Sequence, residues 1–162
     1  MLINIQKRNK NKKGFTLIEL LVVVSLIGIL TTLVLANVNS ARQRGRDAQR
    51  KSDLRGIATA LRLYYNDYGF YPAGNSGQIS GCGALGATPC TWGTTFVAGS
   101  NTYMTVLPDD PLGIPHYRYT LLDPDTYTLE ACLENASDDK GRAPADGKTW
   151  CTTTGWEFLV RP

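Results

Sequence analysis

Only one histidine, His116, occurs in this 162-residue chain, and it sits next to Pro115 with no serine or cysteine nucleophile that sequence can pair with it. That scarcity removes the commonest general base and leaves no catalytic set, so the chain is not expected to be an enzyme. Four cysteines are present without CxxC or Cys/His spacing, which excludes the common zinc sites. Acidic residues are missing from the first thirteen positions, and proline is missing until Pro72. The first absence leaves five cations unopposed (Lys7, Arg8, Lys10, Lys12, Lys13), and the second leaves a long stretch free to be helical. No internal repeat is visible.

The formal charge of +3 therefore describes the start of the chain and little else. Removing those five from the 17 Lys and Arg leaves twelve cations against fourteen acids, a balance of −2. Composition gives no ground for expecting nucleic acid as a partner. Cys82, Cys90, Cys132 and Cys151 form an even set, for which two disulfides outside the cytoplasm are the simplest account. Four cysteines permit three pairings, and sequence alone does not choose among them. Loop composition favours Cys82 with Cys90 and Cys132 with Cys151, because each pair brackets a stretch rich in Gly, Pro, Asp or Ala.

From Phe15 to Ala36 the chain is apolar for 22 residues, about 33 Å as a helix, against a bilayer core of about 30 Å. Glu19 alone interrupts it. Past Ala36 the sequence turns polar and basic, yet Leu54, Ile57, Ala58, Leu61, Tyr65 and Tyr68 keep helical spacing. The spacing predicts one helix from Phe15 to about Tyr68, with Gly45 and Gly56 each costing it about 1 kcal/mol. Residues 69–102, rich in Gly, Ser, Thr and Asn, read as a long connection. Pro108-Asp109-Asp110-Pro111 is a turn. His116–Leu122 and Thr126–Glu134 then carry β-formers on either side of Asp123-Pro124-Asp125, a hairpin pattern, and Trp150–Thr153 and Trp156–Val160 supply one or two more strands. The expected fold class is α+β: a long N-terminal helix, apolar in its first half and amphipathic in its second, packed on an antiparallel sheet of three to four strands. The divisions are a leader (1–14), an apolar helix half (15–36), an amphipathic helix half (37–68) and a head (69–162).

Gly14-Phe15-Thr16-Leu17-Ile18-Glu19, preceded by Lys12-Lys13, resembles the processing signature of type IV prepilins and type II secretion pseudopilins. An ordinary secretory signal is cut after its apolar region and lost. Here the small residue precedes that region, so a cut after Gly14 removes the leader cations and retains the helix. The resemblance implies cleavage by a prepilin peptidase, N-methylation of the new terminus on Phe15, and an ion pair between Glu19 and a neighbour's amino terminus. Such a pair offsets the roughly 2.5 to 3.5 kcal/mol that a carboxylate costs inside an apolar span.

The same resemblance implies a homo-oligomeric filament, first held in membrane lipid and then built by an inner-membrane assembly platform and a cytoplasmic ATPase. It makes the chain a single-pass membrane protein with its head outside the cytoplasm, and later part of an extracellular or periplasmic filament. Cations flank both ends of the span, so this orientation rests on the motif and not on charge counting. A type IV pilus major pilin is the favoured expectation. A pseudopilin of a secretion or DNA-uptake system is the alternative, and a monomeric membrane-anchored binding domain the second.

Three lesser features complete the reading. Gly28 is a point of close packing or flexibility, although Ala36 stands where many pilins have proline, so any melted segment would rest on Gly28, Thr31 and Thr32. The cations from Arg42 to Arg62 read as a solvated or subunit-facing helix surface. The YGFYP and LPDDP stretches resemble major pseudopilins, a group with a calcium ion in the loop before the C-terminus. Asp138, Asp139 and Asp146 are the weak candidates for it; no other cofactor is expected.

Overall fold

The structure is a computed structural model that describes residues 14–114, 117–138, 140–143, 150–151 and 156–162. With no proline to interrupt it, the chain forms a 52-residue helix, α1 (Leu17–Tyr68). It passes through Gly45 and Gly56 without a break; at Gly56 a methyl group would come within 3.3 Å of the Met104 side chain, so close packing employs the missing Cβ. Gly69 ends the helix, its φ of +75° giving the left-handed turn that suits glycine, and its amide donates to Tyr65 O at 2.7 Å. The chain divides into two compact units, Met1–Ser40 and Ala41–Pro162, each described by itself below.

In the second unit, seven strands among the described residues form three antiparallel groups. β1 (Ala73–Asn75) pairs with β2 (Gln78–Ser80), and β3 (Phe96–Ala98) with β4 (Asn101–Met104). β5 (Arg118–Asp123), β6 (Thr126–Cys132) and β7 (Glu157–Val160) form a three-stranded sheet in that order. The β5–β6 hairpin turns at Asp123-Pro124-Asp125, where the Asp123 carboxylate accepts from Asp125 N at 2.9 Å and from the Thr126 hydroxyl. Trp150 and Cys151 are outside any strand. The larger difference lies in residues 69–102, read as one connection but folded into two hairpins. Three- and four-residue strands are too short to show apolar alternation, and turn glycines dominate their composition.

The core gathers one face of the helix against these strands. Leu54, Ile57 and Leu61 are fully buried, as are Ile79, Phe96, Leu107, Tyr127, Leu129 and Leu133. Tyr64 stacks on Phe96 at 5.8 Å, and Tyr71 meets Tyr127 edge-on at 4.7 Å. Cys82 is bonded to Cys90 and Cys132 to Cys151, with Cα separations of 5.2 and 5.4 Å.

Candidate functional site

The first unit is built around the start of α1. Thr16, just before the helix, receives Glu19 N on its hydroxyl oxygen at 3.3 Å. In return Glu19 Oε2 accepts Thr16 N at 2.9 Å and the Thr16 hydroxyl at 2.7 Å. This reciprocal capping box satisfies amides that a helix start leaves open. Thr16-Leu17-Ile18-Glu19 carries its Thr-x-x-Glu pattern, a signal overlooked when Glu19 is read only as a charge in an apolar run. The carboxylate that the resemblance pairs with a neighbour's amino terminus thus also has hydrogen-bond donors in its own chain.

Around and beyond it the surface is apolar. Phe15 is 92% exposed, and the large side chains described from Leu17 to Val34 are all about half exposed or more. Hydroxyls on the helix turn inward: Ser25 donates to Leu21 O at 2.8 Å, Thr31 to Ile27 O at 2.7 Å and Thr32 to Ile29 O at 2.8 Å. Polar groups are thereby satisfied along the backbone, as a lipid-facing helix requires. Methyl groups added at Gly14 or Gly28 meet nothing within 4 Å. The helix is long and apolar enough to cross a membrane. Residues 1–13, which hold the leader cations, lie outside the described residues, while Gly28, Thr31 and Thr32 are helical.

In the second unit an ionic cluster fastens the helix to the head. Arg50 forks onto Asp110 with Nε–Oδ2 at 2.6 Å and Nη2–Oδ1 at 3.0 Å, and its Nη1 donates to Asp47 and Glu134 at 2.8 Å each. Arg46 makes a second fork onto Glu134, both contacts at 2.6 Å. Asp47 also accepts the amides of Glu134 and Asn135 at 2.9 Å each. Burial pushes the Arg50 guanidinium down, but its bonds to Asp110, Asp47 and Glu134 outweigh that and raise it overall. The Arg46 bond holds the Glu134 carboxyl below its ordinary range.

This corrects one reading of the sequence: Arg50 is a buried member of the core, 2% exposed, and not part of a solvated basic face. Lys51 likewise pairs with Asp138, whose other oxygen accepts Lys140 N at 3.0 Å. Its carboxylate is thus engaged by nitrogen donors, a poor start for calcium, and among the described residues no group of three His, Cys, Asp or Glu side chains stands ready for a metal. Asp139, Asp146 and His116 lie outside the described residues.

An apolar span opening at a capped Gly-Phe junction, with a disulfide-bonded α+β head, defines the class of prepilin-type filament subunits. Residues 9–35 match the family model of the prokaryotic N-terminal methylation motif. The chain is 35% identical over 112 residues to type II secretion system core protein G of Pseudomonas aeruginosa, covering 69% of this chain and 75% of that one. It is 31% identical to core protein G of Aeromonas hydrophila, covering 83% and 92%. It is also 31% identical to the type IV major pilin protein PilA of Myxococcus xanthus, over 65 residues covering 40% and 30%. No solved structure matches the chain. The chain belongs to the family of type II secretion system core protein G.

Proposed function

We propose that the chain is a pseudopilin, a structural subunit of a type II secretion-type pseudopilus, and that it works by assembly and not by catalysis. The observation that carries this reading is coverage: likeness to core protein G runs through helix and head, whereas likeness to the pilin spans less than half of this chain. It favours the alternative over the pilus major pilin expected from sequence.

In this reading a prepilin peptidase cuts after Gly14 and the amino group of Phe15 is methylated. The apolar helix waits in the cytoplasmic membrane with the head outside. There the Thr16 capping box holds Glu19, until a neighbour's amino terminus takes up the carboxylate during assembly. Fifteen large apolar side chains lie between Phe15 and Leu35, each stabilising by roughly 1.5 to 3 kcal/mol once buried from water. Inside lipid that gain is absent, so extraction is driven by the assembly platform and its ATPase, and the filament holds once formed.

Mass spectrometry of the mature chain tests the processing. A methylated Phe15 terminus is expected; an intact Met1 or a cut beyond Ala36 would sink the reading. Glu19→Ala should leave insertion and cleavage largely intact while reducing filaments at least tenfold, and normal filaments from that variant would remove the ion pair. Deletion of the gene separates the filament types: loss of protein secretion with surface pili intact supports a pseudopilus, and the reverse supports a pilus.

A further inference from the structure

Within the second unit, the cations of α1 fall into two sets. Arg46, Arg50 and Lys51 are paired inside the chain. Arg42, Arg44, Arg55 and Arg62 are exposed and have no carboxylate partner among the described residues. Spacings of eleven and seven residues bring Arg44, Arg55 and Arg62 to within about 20° of one line along the helix at 3.6 residues per turn, while Arg42 lies about 160° round from it. Around them the helix offers no free carboxylate three or four residues away: Asp47 stands three residues past Arg44 but is buried against Arg50. A purely solvated face would gain from such pairs, and here they are withheld.

On another flank of the same helix, about 140° round from Arg62, lies Asp67. It lines a groove of about 480 Å³ with Leu63, Asn66, Ser100, Asn101 and Tyr103. Asp67 Oδ2 accepts the Tyr103 hydroxyl at 2.7 Å and the Asn101 amide at 3.1 Å, which aim the exposed carboxylate, and no cation pairs with it among the described residues. Leu63 is 49% exposed beside it, a floor on which the stem of a long cationic side chain can lie.

One flank thus carries a line of unpaired guanidiniums and the other a pre-positioned carboxylate in a groove. We infer that the Asp67 groove takes an arginine from the Arg44–Arg55–Arg62 line of a second, parallel copy of this chain. The two surfaces differ, so the contact is heterologous and, if it does not close into a ring, propagates as a helix. The axial offset depends on which arginine is taken: at 1.5 Å per residue Arg62, Arg55 and Arg44 lie about 8, 18 and 35 Å from the level of Asp67. The inference rests on the pseudopilus reading and adds the surface that joins the heads.

The test is filament yield from the full-length chain in cells carrying its assembly machinery. Asp67→Arg should lower the yield at least tenfold, with the Phe15 terminus and the disulfides unchanged and the detergent-solubilised chain still unfolding cooperatively, its midpoint lowered by no more than a few degrees for the lost Tyr103 and Asn101 bonds. Adding Arg62→Asp, Arg55→Asp or Arg44→Asp should restore at least half the yield in one of the three combinations, and the one that rescues gives the offset. Should Asp67→Arg fail to fold, Asp67→Asn keeps the groove, and its yield should fall several-fold with the loss growing in low salt. Normal filaments from both Asp67 variants, or no rescue by any combination, overturn the interface while leaving the pseudopilus reading intact. Filaments that survive reversal of all three arginines but lose duplex DNA assign the line to a polyanion and overturn it equally. A wild-type chain that stays unprocessed and makes no filament removes the pseudopilus reading and the interface together.

Discussion

Arg50 is the residue on which the head's attachment to its helix most depends, because one guanidinium meets three carboxylates with its side chain 2% exposed. Removing it leaves Asp47 and Asp110 buried without their counter-charge, and breaking a buried pair from one side costs about 3 to 5 kcal/mol. Arg50→Met should therefore lower the thermal midpoint by about 10 °C or more, while Arg50→Lys, which keeps charge but loses the fork onto Asp110, should fall between it and wild type. Two tyrosines give a contrast of opposite sign. Tyr119 donates to Pro72 O at 2.7 Å, whereas the buried Tyr127 hydroxyl has no partner among the described residues. Tyr119→Phe should cost about 1 kcal/mol and Tyr127→Phe should gain about as much in urea unfolding. None of these roles was legible in the sequence. Arg50 is one of seven cations within twenty-one residues, and only the fold shows that it faces inward. The Thr16–Glu19 box was legible in its four-residue pattern, since capping is local.

Legibility follows element length. α1 and the β5–β6 hairpin could be read because apolar spacing and a Pro-Asp turn repeat over enough residues to stand above chance. The β1–β2 hairpin rests instead on one turn, in which Ser76 and Gly77 both have positive φ, 50° and 86°. Such a two-residue turn suits strand twist but strains residues with a Cβ. Gly77→Ala should cost about 1 kcal/mol, and Ser76→Asn should recover a few tenths, both measurable by urea unfolding. Longer range is the other limit on reading: the loop between Cys132 and Cys151 has little regular structure among its described residues, and its ends are held by covalent closure. Replacing both cysteines by serine should cost about 3 kcal/mol, against about 2.5 for the shorter Cys82–Cys90 loop, because closing more chain removes more unfolded-state entropy. If the shorter loop proves the costlier to open, strand geometry and not chain entropy governs these bridges.

At the scale of the whole chain, its ionisable groups set two edges to stability. Glu134 is held below its ordinary range chiefly by its bond to Arg46, and Asp138 by its bond to Lys51. Depressed carboxyls contribute stability that is full above their unfolded values, near pH 4.5 and 3.8, and is lost as pH falls through the lower folded values. Asp53 acts oppositely, since burial outweighs its bond to Tyr117 and raises it, so it opposes folding once ionised and softens the acid edge. Tyrosines make the alkaline edge. Burial pushes Tyr127 up to about 12, and burial with a bond to Asp67 does the same for Tyr103. Raised phenols contribute stability that is full below the unfolded value, near pH 10, and is lost as pH rises through about 12. Stability of the detergent-solubilised chain should thus form a plateau from about pH 5 to 10, falling on both sides. Glu134→Gln should lower the plateau and flatten the acid edge while leaving the alkaline edge in place, because only one of the two depends on the Arg46 fork. An acid edge as steep in Glu134→Gln as in wild type would assign it to the Lys51–Asp138 pair instead.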